Sequence, residues 1–349
     1  MTVGETSRPA ITASSLRHLT PLNIGGFVIL VVALAILVPR IGERGAGYFA
    51  QTLVFGIADG AIYALVALGY TMVYGIIELI NFAHGDVFTL GAFISLPLFP
   101  LFGLKEDQTS GVSLIFGLIA VFLITMGLCA VVNVTIERVA YRPLRNAPRL
   151  APLITAIGMS SILEGAMFVW RGPFNLHYPD VLPTNRISIG GGVTIGAKDI
   201  IVGVLAAVLV ISLTLFINRS KLGKAMRATA QDRDAAQLMG IDINRTIAAT
   251  FFIGAMLAGA GGIIYGLYFG TVTAFLGFSV GLIAFTAAVF GGIGNIPGAA
   301  LGGLLIGLIA AISDGYLTVK WTPVLIFVIL ILVLVFRPSG LLGMRVPEK

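Results

Sequence analysis

Cysteine, histidine and charge are all scarce in this chain of 349 residues. The one cysteine, Cys129, permits no intramolecular disulfide, and its place inside an apolar run makes it uninformative about redox compartment. The three histidines, at 18, 84 and 177, stand at no metal-ligand spacing and belong to no Ser/His/Asp arrangement, so a metal centre or a nucleophilic hydrolase has little to build on. No G-x-x-x-x-G-K-[ST] occurs, the nearest stretch being "LGKAM" at 222–226, which excludes a P-loop in this chain. "GGIGNIPGAALGG" at 291–303 is no dinucleotide loop either, because Pro297 takes the third-glycine position and no βαβ pattern surrounds it. Charged residues are only 11% of the total. The formal net charge of +6 sits in short loops between apolar runs, which argues against a nucleic-acid surface.

What the chain does have is apolar sequence: 57% hydrophobic residues, a mean hydropathy of +1.00 and 44 glycines. These place it among all-α, polytopic membrane proteins, where a span needs about 20 apolar residues and small residues let helices approach closely. Ten candidate spans follow: 22–38, 49–80, 87–104, 112–135, 151–170, 200–217, 247–269, 278–290, 298–313 and 321–336. The polar first 21 residues lead into Leu22 to Val38 without a small-residue cleavage site, so that run reads as a retained helix. The second span is too long for one straight helix, and Gly69 and Gly75 suggest its break or tilt. Segments 1–21, 136–150, 218–245 and 337–349 carry 2, 4, 6 and 3 Lys or Arg, which is 15 of 22. If ten spans alternate, all four segments share one side and both termini are cytoplasmic. Arg40 and Arg44 then fall outside. The outer loop, residues 172–198, contains "NRISIGGGVTIG", whose alternating Ile and Val around glycines predict a β-hairpin.

The inner loop holds a conspicuously polar stretch, "MRATAQDRDAAQLMGIDINRT" at 226–246, with six charges in 21 residues. Ala235, Leu238 and Met239 fall at i, i+3 and i+4, a narrow apolar stripe on a helix that Gly240 is placed to end. Such a stripe suits a groove on a partner. The run Asp234-Ala235-Ala236-x-x-x-Gly240 resembles the "EAA" loop of ABC importer permeases, with Asp in place of the leading Glu.

Four further stretches agree with it: "GAIYALVALGYTMVYGIIELINFAHGD", "ERVAYRPLR", "GKAMRATAQDRDAAQLMGID" and "FGGIGNIPGAALGG". Together they resemble the LivH-type permease subunits of branched-chain amino acid ABC importers, from about Gly56 to Leu342. The resemblance implies one transmembrane permease domain over 1–349, with residues 1–48 as an N-terminal extension and 218–245 as the coupling loop. It implies a bacterial inner-membrane location and no cofactor in this chain. It also implies four kinds of neighbour: a second permease subunit, two ABC ATPase subunits that bind ATP, an extracytoplasmic substrate-binding protein and the lipid bilayer. Urea or short amides are alternative cargoes.

Ionisable groups within a membrane are costly and so are candidates for function. Asp59, His84, Asp86 and Glu164 are those in this chain, and Asn81 and His84 in "NFAHGD" break the helical pattern where backbone could line a translocation path. The competing reading makes the same segment a short cytoplasmic turn, with Asp86 capping the next helix. An ion-coupled secondary transporter would also use Asp59 and Glu164, but it leaves the polar loop helix unexplained and requires repeated halves that the sequence does not display.

Overall fold

The computed structural model describes residues 21–105, 111–145, 147, 148 and 150–343, with side chains from residue 38 onward. Arg8, Arg17, His18, Arg149, Arg345 and Lys349 lie outside the described residues, as do the side chains of most of the first expected span. Helix α1 runs Pro21–Ile77 and bends at Gly45, where φ is 82°. The expected break at Gly69 and Gly75 is not there. Both glycines lie in continuous helix, and each is a site of close approach: His84 fills the space a Cβ on Gly69 would need, and Gly294 lies against Gly75.

The irregular stretch is instead residues 78–82, with Glu78 at a φ of 53°. Helix α2 (Ala83–Ser95) starts earlier than the expected 87, so His84 and Asp86 already lie in its first turn. Phe82 is its N-cap residue and makes no side-chain cap bond; Asp86 accepts a hydrogen bond from Ser160 and caps nothing. The capping reading of Asp86 is therefore corrected. At 13 residues α2 is about 20 Å long, and the short α3 (Leu98–Leu101) completes the crossing.

Helix α4 (Val112–Ile136) continues through a π-helical turn, Glu137–Tyr141, and a 3₁₀ turn, Arg142–Leu144. Helix α5 (Leu150–Arg171) leads to strand β1 (Leu176–His177) and to the expected hairpin, β2 (Arg186–Gly190) against β3 (Val193–Gly196). Helix α6 (Ala197–Arg219) begins where Asp199 accepts the Gly196 N–H at 2.8 Å. The polar loop forms α7 (Lys221–Gln231) and α8 (Arg233–Leu238), and α9 (Ile243–Phe269) follows. Strand β4 (Thr271–Val272) pairs with β1. The chain ends with α10 (Leu276–Gly291), α11 (Ile296–Tyr316) and α12 (Thr322–Phe336). Pro297 sits in the first turn of α11, where its missing N–H has no helical partner to lose.

Among the described residues eight helices are long and apolar enough to cross a membrane, and α10 is a shorter apolar helix. The chain is thus an all-α, multi-pass membrane protein. Helices α1, α2, α9, α10 and α11 pack backbone to backbone through glycine: Gly307 on Gly60, Gly91 on Gly259, Gly85 on Gly277 and Gly281. Of the two expected packing stripes, Gly298 and Gly302 meet Gly291, while Gly262 and Gly266 meet Phe88 and Tyr178. A Cβ on Gly270 would meet no other group among the described residues. Gly270 ends α9 in the left-handed conformation, φ 71°. The buried share of a span falls from 72% in α9 to 22% in α5 and α6 and 11% in α12, which leaves the latter helices facing outward.

Polar contacts gather at the two ends of the bundle. At one, Tyr141 meets Asn81, Arg145 meets Asn244, and Leu341 and Leu342 bond to Phe290 and Gly291. At the hairpin end, Arg40 bonds to the Tyr316 carbonyl, Gln51 to Thr194 and Tyr268 to Asp199. Arg40 and Arg44 are thereby placed at the hairpin end, opposite α8, as the alternation of spans requires.

Candidate functional site

The polar loop is two helices, not one. Asp232 takes an extended conformation (φ −155°) between α7 and α8, and its Oδ1 accepts the Ala235 N–H at 3.0 Å, a cap worth about 1 kcal/mol. At the other end of α8, Ile241 N–H reaches the Ala236 carbonyl and Gly240 N–H the Gln237 carbonyl, both at 3.0 Å. This double closure needs a left-handed residue, and Gly240 supplies it at φ +83°. Ala236 is buried; Asp234 and Ala235 are exposed, and Leu238 and Met239 are 88% and 83% exposed. A pair of large apolar side chains thus stands uncovered on a short, doubly capped helix.

Two arginines fasten this unit to the bundle. Arg227 donates to the Ile217 carbonyl at the end of α6, and Arg233 donates from Nε and Nη2 to the Ile76 carbonyl, at 3.2 and 2.7 Å. A cation on the last carbonyls of a helix satisfies an orphan acceptor and complements the helix dipole. Arg233 lies outside the apolar stripe, and nothing local in the sequence announces a partner 157 residues away.

Directly beyond Ile76 the chain turns into the irregular residues 78–82 and then the buried start of α2. Asn81 Oδ1 accepts from Tyr141 O–H at 2.7 Å. His84 is fully buried, edge-on to Tyr70 with ring centroids 4.8 Å apart. Asp86 is also fully buried; it accepts from Ser160 of α5 on Oδ2, while Oδ1 has no hydrogen-bond partner among the described residues and lies beside Gly277. Glu164, four residues after Ser160 on the same helix, is half-buried and within electrostatic reach of Asp86. Asn81, His84, Asp86 and Glu164 are therefore neighbours around one stretch of chain. Asp59 is not among them. It lies ten residues before Gly69 on α1, about 15 Å towards the hairpin end, within electrostatic reach of Asp314 and Asp199. Of the supporting residues, Tyr70 and Tyr141 lie within stretches that carry the resemblance but were not singled out there, and Ser160 lies in none of them.

A short helix with an exposed apolar pair is thus bonded to the end of a long span, beside a buried polar segment. The family model described as "Branched-chain amino acid transport system / permease component" matches residues 52–334. The chain belongs to that permease family. It is 44% identical over 308 residues to the high-affinity branched-chain amino acid transport system permease protein BraD of Pseudomonas aeruginosa, covering 86% of this chain and 98% of that one. The LivH permease proteins of Salmonella typhimurium and Escherichia coli are 40% and 39% identical over 305 residues, with the same coverage. No solved structure matches the permease. The rival reading as an ion-coupled secondary transporter is not favoured by this membership.

Proposed function

We propose that the permease forms half of the translocation pathway of an ATP-driven importer of branched-chain amino acids in a bacterial cytoplasmic membrane. Both termini and α7–α8 face the cytoplasm. It stands beside a second permease subunit, above two ABC ATPase subunits that bind the ATP, and below an extracytoplasmic substrate-binding protein. The chain itself holds no cofactor. Support for the cargo comes from the transport systems after which BraD and LivH are named. Selectivity rests mainly with the binding protein, since this chain offers no evident set of groups for a zwitterion.

The observation that carries the reading is the pairing of exposed Leu238 and Met239 with the bond from Arg233 to Ile76. An ATPase groove closing on α8 pulls, through Arg233, on the end of α1 and on the link to Asn81, His84 and Asp86. These residues and Glu164 border the path, and Asp59 belongs to its outer mouth. A cleft of about 370 Å³, lined by Gln51, Asp180, Lys198 and Tyr268 among others, opens at the hairpin end where the binding protein docks. The test is uptake of labelled leucine by membrane vesicles carrying the whole assembly. Uptake persists with a protonophore and stops on ATP depletion; the opposite pattern contradicts the proposal.

A further inference from the structure

Between α4, α6 and α9 runs an open groove of about 690 Å³ whose walls, Met126, Leu209, Phe216 and Met256 among them, are almost wholly apolar. It lies in the half of the bundle that ends at α7 and α8. Its mouth is a second, polar recess of about 390 Å³ lined by Arg138, Arg142 and Arg245, and Arg138 and Ala248 line both spaces. The guanidinium groups of Arg138 and Arg142 make no hydrogen bond or ion pair among the described residues, unlike that of Arg145, which is paired with Glu137. The acidic group in the recess, Asp242, caps α9 at Arg245 N–H and pairs with Arg245 Nε at 3.1 Å, so the recess keeps a net charge of about +2.

Depth agrees with charge. Arg138 lies 26 residues beyond Val112, about 39 Å along α4 and its continuation, which is past a hydrocarbon core of roughly 30 Å and at headgroup level. Unpaired arginines at that level, above an apolar groove open to the side, match one class of ligand in both parts. We propose that this is a site for an anionic phospholipid of the cytoplasmic leaflet, with acyl chain in the α4–α6–α9 groove and phosphate between Arg138 and Arg142. The inference rests on the cytoplasmic placement of this end and is independent of the transported substrate. Occupied, the site ties α6, which leads into α7, to the buried helix α9.

The experiment uses the complete assembly in mild detergent, stripped of lipid and then titrated with phosphatidylglycerol, phosphatidylcholine or inorganic phosphate, with lipid retention read by native mass spectrometry and stability by thermal unfolding. Phosphatidylglycerol is expected to be retained with a preference of roughly 30-fold over phosphatidylcholine, the size that two arginine contacts give, and to raise the unfolding temperature. The variant R138Q/R142Q loses that preference, and R138K/R142K keeps most of it. If the glutamine variant does not fold, Ser212→Trp, which fills the groove from its exposed wall, loses the retained lipid with both arginines intact. Equal retention of the two lipids, a stabilisation reproduced by phosphate alone, a partner subunit cross-linked into the groove of the stripped assembly, or unchanged retention in the Ser212→Trp variant overturns the proposal.

Discussion

Arg233 donates two hydrogen bonds to the carbonyl oxygen of Ile76, joining the six-residue helix α8 to the end of the longest span. Charge-assisted bonds of this kind contribute about 1.5–3 kcal/mol, enough to carry a push or a pull without melting. The Arg233→Gln variant is expected to insert and to bind ATPase subunits normally while transport falls at least roughly tenfold, the effect of losing about 1.4 kcal/mol of coupling. Arg233→Lys keeps the charge but not the fork, and falls in between. ATPase pull-down measured beside leucine uptake checks this; loss of both together contradicts a purely connecting role.

Gly240, two residues past the end of α8, holds a left-handed backbone that limits substitution. Its φ of +83° strains any β-branched side chain by about 1–3 kcal/mol. Gly240→Val therefore loosens the closure over Ala236 and Gln237 and impairs ATPase association, with membrane insertion unchanged. Unaltered association and transport would show that α8 is not the docking element.

Leu238 and Met239 are nearly fully exposed, so Leu238→Asp removes no packing within this chain. Thermal stability of the isolated chain should stay within about 0.5 kcal/mol of the parent, the range for surface changes. Recovery of ATPase subunits with the variant should drop sharply. A large stability loss would mean that these side chains are covered by this chain itself.

His84 occupies the space a Cβ on Gly69 would take. Gly69→Ala should displace the ring from Tyr70 and the start of α2 with it, at about 1–3 kcal/mol for overpacking. The readout is the unfolding temperature of the purified chain, with Gly69→Ala lower than Gly158→Ala. Gly158 has open space around it and serves as the control.

Cys129, which the sequence marks as unremarkable, is fully buried, with its sulfur 3.8 Å from the Val87 carbonyl oxygen and packed on Gly259. Cys129→Ala removes one atom and is expected to be mild. Cys129→Phe pushes α4 off α9 and should reduce the amount of folded protein recovered from membranes.

The spans were legible because hydropathy over a membrane-length window is a strong signal: all ten expected runs overlap described helices, although the first two, 22–38 and 49–80, are joined in the single bent helix α1. The hairpin at 186–196 was legible from its alternation, and the end of α8 from Gly240. The break at 78–82 was legible only in part: "NFAHGD" marks an interruption that includes Asn81, but its start at Glu78 was not legible, because "ELINF" contains no Gly or Pro and tertiary contacts such as Tyr141 to Asn81 hold it. Glycine misled in the same region: Gly69 and Gly75 serve close packing, a role that composition alone does not separate from bending. Asp232 split the polar helix by capping from an extended backbone, and Arg233 found a partner that no local pattern announces.

The central claim, that α8 seats in an ATPase, is tested most directly by Leu238→Cys in native membranes. The single native cysteine is buried, so the new thiol is the accessible one. A short thiol-to-amine cross-linker should join it to a protein whose sequence contains a P-loop, identified by mass spectrometry. Adducts confined to lipid, to a polytopic subunit or to this chain itself would contradict the account.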